Sequence, residues 1–371
     1  MCPLIDKLKE NIFFEVRLCV TGQHLEMLNQ VLEVFDVVPD FNLKIMSSRQ
    51  TLSKITASVL LGLDDVFNKY TPDLVLVHGD TSTTLSTALS CFYHGLAVAH
   101  IEAGLRTRNI QDPFPEELNR QVVSKLSCLH FAPTEECAEN LRSEGISKSS
   151  IFVTGNTVID ALHLTLKNIQ SNDQGLHQVE QGLLNILGGY DFRHGVYVLI
   201  TVHRRENIGE RASEIFEAIS ALAKSYKKIH FIFPVHLNPA IREPATDTLG
   251  HLDNVHLIEP LEYHQFVYLM SKSFFVISDS GGIQEEAPSL GKPVLLCRDT
   301  SERPEALSAG TVKLVGSDRE SIVSNAKKLI EDDVYYEAMS VATNPYGDGR
   351  ACDKIIAALK SFFLFKREVE L

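Results

Sequence analysis

Short apolar runs rich in β-branched residues alternate with segments of helical spacing along nearly the whole chain, and that alternation leaves few folds open. The runs at 74–77, 97–101, 129–132 and 151–154 are nearly continuous in apolar residues rather than apolar at every second residue, and a helix-like stretch separates each from the next. Strands apolar on both faces belong to parallel sheets covered by helices. The segment 51–70 shows the helical period, with Leu52, Ile55, Val59, Leu63 and Val66 on one face. Residues 13–20 supply the first strand candidate. A second series follows at 196–202, 230–235, 255–258, 274–277, 294–296 and 312–315.

At 371 residues the chain exceeds what one core serves. The expected fold class is therefore α/β: two doubly wound Rossmann-like domains facing across a cleft, with ligands at the carboxyl ends of the strands. The boundaries read as 1–166, a linker at 167–189 where the pattern loosens and ends on Gly188-Gly189, a second domain at 190–345, and a last helical segment at 346–371.

The stretch Ile277-Ser278-Asp279-Ser280-Gly281-Gly282-Ile283-Gln284-Glu285-Glu286 joins a strand to a helix through two glycines. Without side chains at Gly281 and Gly282, a phosphate can approach backbone N–H groups. Glu286, one turn on, is placed to accept ribose hydroxyls. The same residues also fit an ordinary turn, with Ser280 as N-cap and the acids complementing the helix dipole. A formal charge of −13 and a pI near 5.5 argue against nucleic acid as a partner. Positive charge must then be local, and His203-Arg204-Arg205 after the strand at 196–202 supplies it.

Other polar residues stand at strand ends: Asp80, Glu102, His236 and Arg303, with Glu116 beginning a helix. Each has a plainer reading. Asp80 could cap the next helix, Glu102 could pair with Arg106 or Arg120, and Glu116 could serve the helix dipole. The seven cysteines are scattered and form no Cys-x-x-Cys pair, so neither a disulfide framework nor a zinc site is suggested. There is no dinucleotide or P-loop glycine motif, no His-Glu-x-x-His and no Gly-x-Ser-x-Gly. No apolar run reaches the ~20 residues of a membrane span, and the cytoplasm is the expected compartment. A site without cofactor or metal, facing carboxylates toward a diphosphate cradle, suits a nucleotide-sugar.

Val77-His78-Gly79-Asp80-Thr81, the run from His100 to Thr107, Pro115-Glu116-Glu117 with Asn119-Arg120, the run from Thr154 to Ala161, His203-Arg204-Arg205-Glu206 and the run from Asp279 to Pro288 together resemble the non-hydrolysing bacterial UDP-N-acetylglucosamine 2-epimerases, most nearly the enterobacterial-common-antigen type. The resemblance implies a glycosyltransferase-B-like fold whose last helix returns to the first domain, usually in a homodimer. It also implies C-2 epimerisation to UDP-N-acetylmannosamine by elimination and re-addition of UDP. It assigns Asp80, Glu102 and Glu116 to acid/base and electrostatic work at the sugar, and His203 to the diphosphate and sugar. UDP would be held by Ser280, Gly281 and Gly282, with Glu286 at ribose, Phe266 and the Leu261 backbone near uracil, and Arg303 closing over the site. A second, activating substrate molecule would be lined by Gln23, His24, Arg49, Gln50, Glu116 and His236, although Glu26 replaces the family's glutamine and Arg49-Gln50 could simply open the long helix.

One departure concerns the start. The family begins with an apolar strand and a Gly-Thr-Arg-Pro-Glu turn, and both are missing ahead of Met1. The expectation is a gap about one strand wide in the first sheet, with Met1 an internal methionine of a longer gene or the chain a decayed, inactive copy.

Overall fold

The computed structural model describes residues 1–22, 32, 35, 37–47, 50–204 and 207–369. The chain divides into two compact units, one of Met1–Ala161 with Tyr346–Leu371 and the other of Leu162–Pro345.

In the first unit, β1 (Cys19–Val20) and β2 (Phe41–Asn42) form a parallel ribbon. A second parallel sheet runs in sequence order through β3 (Val75–His78), β4 (Val98–Ile101), β5 (Leu129–Ala132) and β6 (Ile151–Val153). Strands β4 and β5 are buried along their whole length, including His100 and His130 within their otherwise apolar runs. The helix Leu52–Phe67 covers one face through Ile55, Val59, Leu63 and Val66, while Leu52 at its first turn is exposed. Leu4 and Leu8 of the helix Cys2–Lys9 pack with Ile355 and Leu359 of the last helix, Ala351–Val369, against Ala99, Ile101 and Phe131. Asp160 holds that last helix in place by accepting from the backbone N–H groups of Ala351 at 3.0 Å and Cys352 at 2.9 Å.

Of the strand expected at 13–20, only Cys19–Val20 is extended and paired, and Phe41–Asn42 was not anticipated. Among the described residues β1 and β3 are not bonded to each other. Between them lies a cavity of about 670 Å³, bordered by Leu18 and Cys19 on one side and Leu76 and His78 on the other, with Leu359 and Phe363 in its wall.

The second unit has a six-stranded parallel sheet built from β7 (Val196–Thr201), β8 (Ile229–Pro234), β9 (Val255–Ile258), β10 (Val276–Ser278), β11 (Val294–Leu296) and β12 (Val312–Leu314), in spatial order β12-β11-β10-β7-β8-β9. Chain direction across the sheet reverses between β7 and β10, which makes it doubly wound and opens a crevice at their carboxyl ends. Their register is Ser278 opposite Thr201, so the residues that follow, Asp279 and Val202 to Arg204, emerge side by side. Helix Glu210–Ser225 covers one face with Ala212, Ile215, Phe216 and Ile219. The segment 167–189, expected to be a linker, contains the helix Asp173–Ile186, capped by Asn172 and tied through Glu180 to the Tyr268 hydroxyl at 2.6 Å.

Candidate active site

In the first unit, Asp80 lies two residues beyond β3, Glu102 directly follows β4, and Glu116 opens the helix Glu116–Leu126. Asp80 does not cap the next helix; the Thr81 hydroxyl does, accepting from the Thr84 N–H. Instead the Asp80 carboxylate meets Arg120 at 2.9 Å, and the Asn119 amide donates to the Asp80 carbonyl at 2.7 Å. Arg120 is itself held by buried Glu117 at 2.9 Å. Glu117 also accepts from the N–H groups of Thr107 and Arg108. Burial would raise its pKa, but those N–H groups, Gln121 and Arg120 outweigh burial and lower it. Glu117 thus fixes a loop and an arginine, beside the half-buried Glu116.

Glu102 has φ +65°, a left-handed conformation that costs a non-glycine residue roughly 1 kcal/mol or more. Its carboxylate accepts from the Asn156 amide at 3.2 Å and lies 3.6 Å from His78 Nε2. Neither arginine weighed as its partner is available: Arg106 binds Glu144 and Ser124, and Arg120 binds Asp80 and Glu117. Gly79, at φ +69°, turns the chain between β3 and Asp80, and His100 Nε2 contacts its carbonyl at 2.8 Å. Burial pushes the His100 imidazole down to about 3, so the ring under this turn is neutral.

In the second unit Ser280, Gly281 and Gly282 connect β10 to the seven-residue helix Ile283–Ser289. Ser280 is not its N-cap; the helix begins at Gly282 with no side-chain cap. Gly281 lies among the ends of three charged side chains. A Cβ there would lie 2.8 Å from Arg303 Nη1, 2.9 Å from Glu302 Oε1 and 3.2 Å from Arg204 Nη2. Glu302 gathers this positive charge, with Arg298 and Arg303 each at 2.6 Å and Arg204 at 3.7 Å. Burial would raise its carboxyl pKa, but Arg303, Arg298 and Arg204 hold it at about 2. Two guanidinium groups beside a bare backbone are suited to phosphate oxygens.

Glu286 is buried in the following helix, where the Tyr263 hydroxyl donates to it at 3.2 Å. Burial, with Glu285 adding to it and Tyr263 opposing, pushes its carboxyl up to about 7. Tyr263 starts the helix Tyr263–Lys272 that carries Phe266, and Leu261 is half-buried in the loop before it. His203, half-exposed, stacks toward the exposed ring of His236 at 6.3 Å.

The chain from 6 to 360 matches the family model described as UDP-N-acetylglucosamine 2-epimerase. The curated UDP-N-acetylglucosamine 2-epimerase of Campylobacter jejuni is 49% identical over 359 residues, covering 97% of this chain and 93% of its own. This chain belongs to the UDP-N-acetylglucosamine 2-epimerase family. The crystal structure of the Neisseria meningitidis epimerase bound to UDP-GlcNAc superposes with TM-score 0.90 at 50% identity, covering 97% and 96% of the two chains. The Methanocaldococcus jannaschii epimerase in complex with UDP-GlcNAc and UDP gives 0.80 at 31% identity, covering 97% and 95%. Two α/β units with parallel sheets, as found here, agree with the glycosyltransferase-B-like fold of these epimerases.

Gln23, His24 and Arg49, expected at an activating site, lie outside the described residues. Gln50 hydrogen-bonds the Ile45 carbonyl, and Thr51 caps the long helix. His236 Nδ1 accepts from the Asn238 N–H at 3.1 Å. Reading the sequence assigned no role to Asn156, Tyr263, Arg298, Glu302 or Asp279. Only Asp279 and Asn156 carried a signal, as polar residues just past a strand inside a recognised stretch.

Proposed function

We propose that this chain interconverts UDP-N-acetylglucosamine and UDP-N-acetylmannosamine for bacterial surface-polysaccharide synthesis, as an epimerase of the enterobacterial-common-antigen type. The supporting observation is the similarity, over nearly the whole chain, to an epimerase bound to UDP-GlcNAc. The geometry here agrees: Gly281 is ringed by Arg204 and Arg303, beyond the central strands of a doubly wound sheet.

In the forward direction a carboxylate removes the C-2 proton, the C-1 to oxygen bond breaks, and UDP leaves with the electron pair. The product between the two halves is 2-acetamidoglucal. UDP then adds back at C-1 while a proton is delivered to the opposite face of C-2. Asp80, Glu102 and Glu116 form the acid/base and electrostatic set for these transfers, and His203 serves the diphosphate and sugar. Ser280, Gly281, Gly282 and Arg303 hold the diphosphate, Glu286 the ribose, and Leu261 with Phe266 the uracil. No redox cofactor or metal takes part, and the working form is a cytoplasmic homodimer. Gln23, His24, Arg49, Gln50 and His236 line a second UDP-sugar site that activates the first.

The test is incubation with UDP-N-acetylglucosamine alone in deuterated water, followed by NMR. The expected product is UDP-N-acetylmannosamine carrying deuterium at C-2. A product retaining its original C-2 hydrogen, or turnover only on adding an acceptor as for a glycosyltransferase, would refute the proposal.

A further inference from the structure

Asp279 is fully buried at the carboxyl end of β10, and the ligand-facing roles above leave it unused. Its carboxylate is nonetheless crowded with donors. Oδ2 accepts from the N–H groups of His203 at 3.0 Å and Arg204 at 2.9 Å, and from the Asn207 amide at 3.0 Å. Oδ1 accepts from the His203 N–H at 3.1 Å and lies 3.2 Å from His203 Nδ1. One carboxylate therefore holds the main chain of His203 by hydrogen bonds and places its charge 3.2 Å from Nδ1 of the ring.

A carboxylate facing Nδ1 favours a proton on that nitrogen, because an acceptor needs a donor opposite it. The remaining ring nitrogen, Nε2, then carries the lone pair. His203 is half-exposed while Asp279 is not, so Nε2 lies on the side away from the buried carboxylate. We infer that Asp279 is a positioning residue, fixing His203 as its Nδ1–H tautomer so that Nε2 is presented as a hydrogen-bond acceptor. A carboxylate behind a working imidazole plays the same part wherever ring orientation and tautomer must both be set. The sheet makes the pairing possible: β7 and β10 are parallel neighbours, so their first residues beyond the strand ends meet without an intervening loop.

The inference deepens the proposed role of His203, and its test must separate the two. In the full chain, ¹⁵N NMR of the histidine rings at about pH 8 reads the tautomer of His203 directly, with His203→Gln assigning the signal. The expected result is a proton on Nδ1 and a bare Nε2. Asp279→Asn can still accept the backbone N–H groups, yet it turns an amide donor toward Nδ1 and should move the proton to Nε2. Its turnover should fall roughly 10²-fold or more, with UDP binding retained. A wild-type ring protonated on Nε2 overturns the inference, and that spectrum decides even if the variant does not fold. Lost turnover in Asp279→Asn with an unchanged tautomer also overturns it. A wild-type chain with the expected tautomer but no epimerisation would leave this pairing standing and sink the proposed function instead.

Discussion

Glu102 and Glu286 are both carboxylates in the proposed site, and their surroundings assign them different work. Glu102 sits in a strained left-handed backbone with an amide and an imidazole beside it, whereas Glu286 lies buried against a tyrosine hydroxyl. Glu102→Gln is expected to lower turnover by about 10²–10⁴-fold with little effect on UDP binding. Glu286→Ala is expected to weaken UDP binding first. Calorimetric titration with UDP beside steady-state rates distinguishes the pair, and equal losses in both measures for Glu102→Gln would reassign that residue to structure. Glu286 also makes a prediction about pH. Its carboxyl is raised from 4.5 to about 7, so between those values the native state keeps a proton that the unfolded state has released. Its contribution to stability is thus fully present below pH 4.5 and lost as pH rises through about 7. Glu286→Gln should therefore be more stable than the parent at pH 8, by roughly 3 kcal/mol, and lose that advantage at pH 4.5. Melting curves of both proteins across this range check it, and a constant difference would mean the carboxyl is not shifted.

The elements show which parts of the fold the sequence could announce. Strands β5, β9 and β11 lie where the apolar-rich runs place them, and β5 and β11 are buried along their whole length, as central parallel strands are. Residues 13–20 misled because Phe14, Val16 and Leu18 are apolar for another purpose, packing on the helix pair or lining the cavity, and only Cys19 and Val20 pair with another strand. The helix Asp173–Ile186 was hidden by its start, where Ser171-Asn172-Asp173-Gln174-Gly175 reads as a loop, although Asn172 is the cap that begins it. Asp279 signalled only that a polar residue stands past a strand; its bonds to His203 and Arg204 were illegible, since those residues follow another strand and only the sheet order brings them together. Gly104, just past β4, carries a prediction at this scale. It has φ +95°, and a Cβ would come within 2.2 Å of the Cys137 carbonyl in the helix Glu135–Ser143. Gly104→Ala must push sheet and helix apart, and a loss of several kcal/mol is expected, about 3 or more. Chemical denaturation measures it, and a change below about 1 kcal/mol would show that the contact yields freely.

Taken whole, the molecule distributes its order unevenly. The second unit runs its open sheet without a break through six hydrogen-bonded strands, while the first carries a cavity of about 670 Å³ between β1 and β3.

The same cavity bears on how copies of this chain behave toward one another. Among the described residues, β3 ends its sheet and β1 ends its ribbon. A strand that ends a sheet displays a row of N–H and C=O groups able to template a strand from elsewhere. Natural sheets blunt such edges with charge, proline or a bulge. Here β3 reads Val75-Leu76-Val77-His78, with none of these devices. Whatever opens the cavity wider, whether warming, dilute denaturant or loss of the last helix, exposes that row first. Aggregation of this protein should then begin as edge-to-edge pairing of native first units, ahead of global unfolding, and grow steeply with concentration.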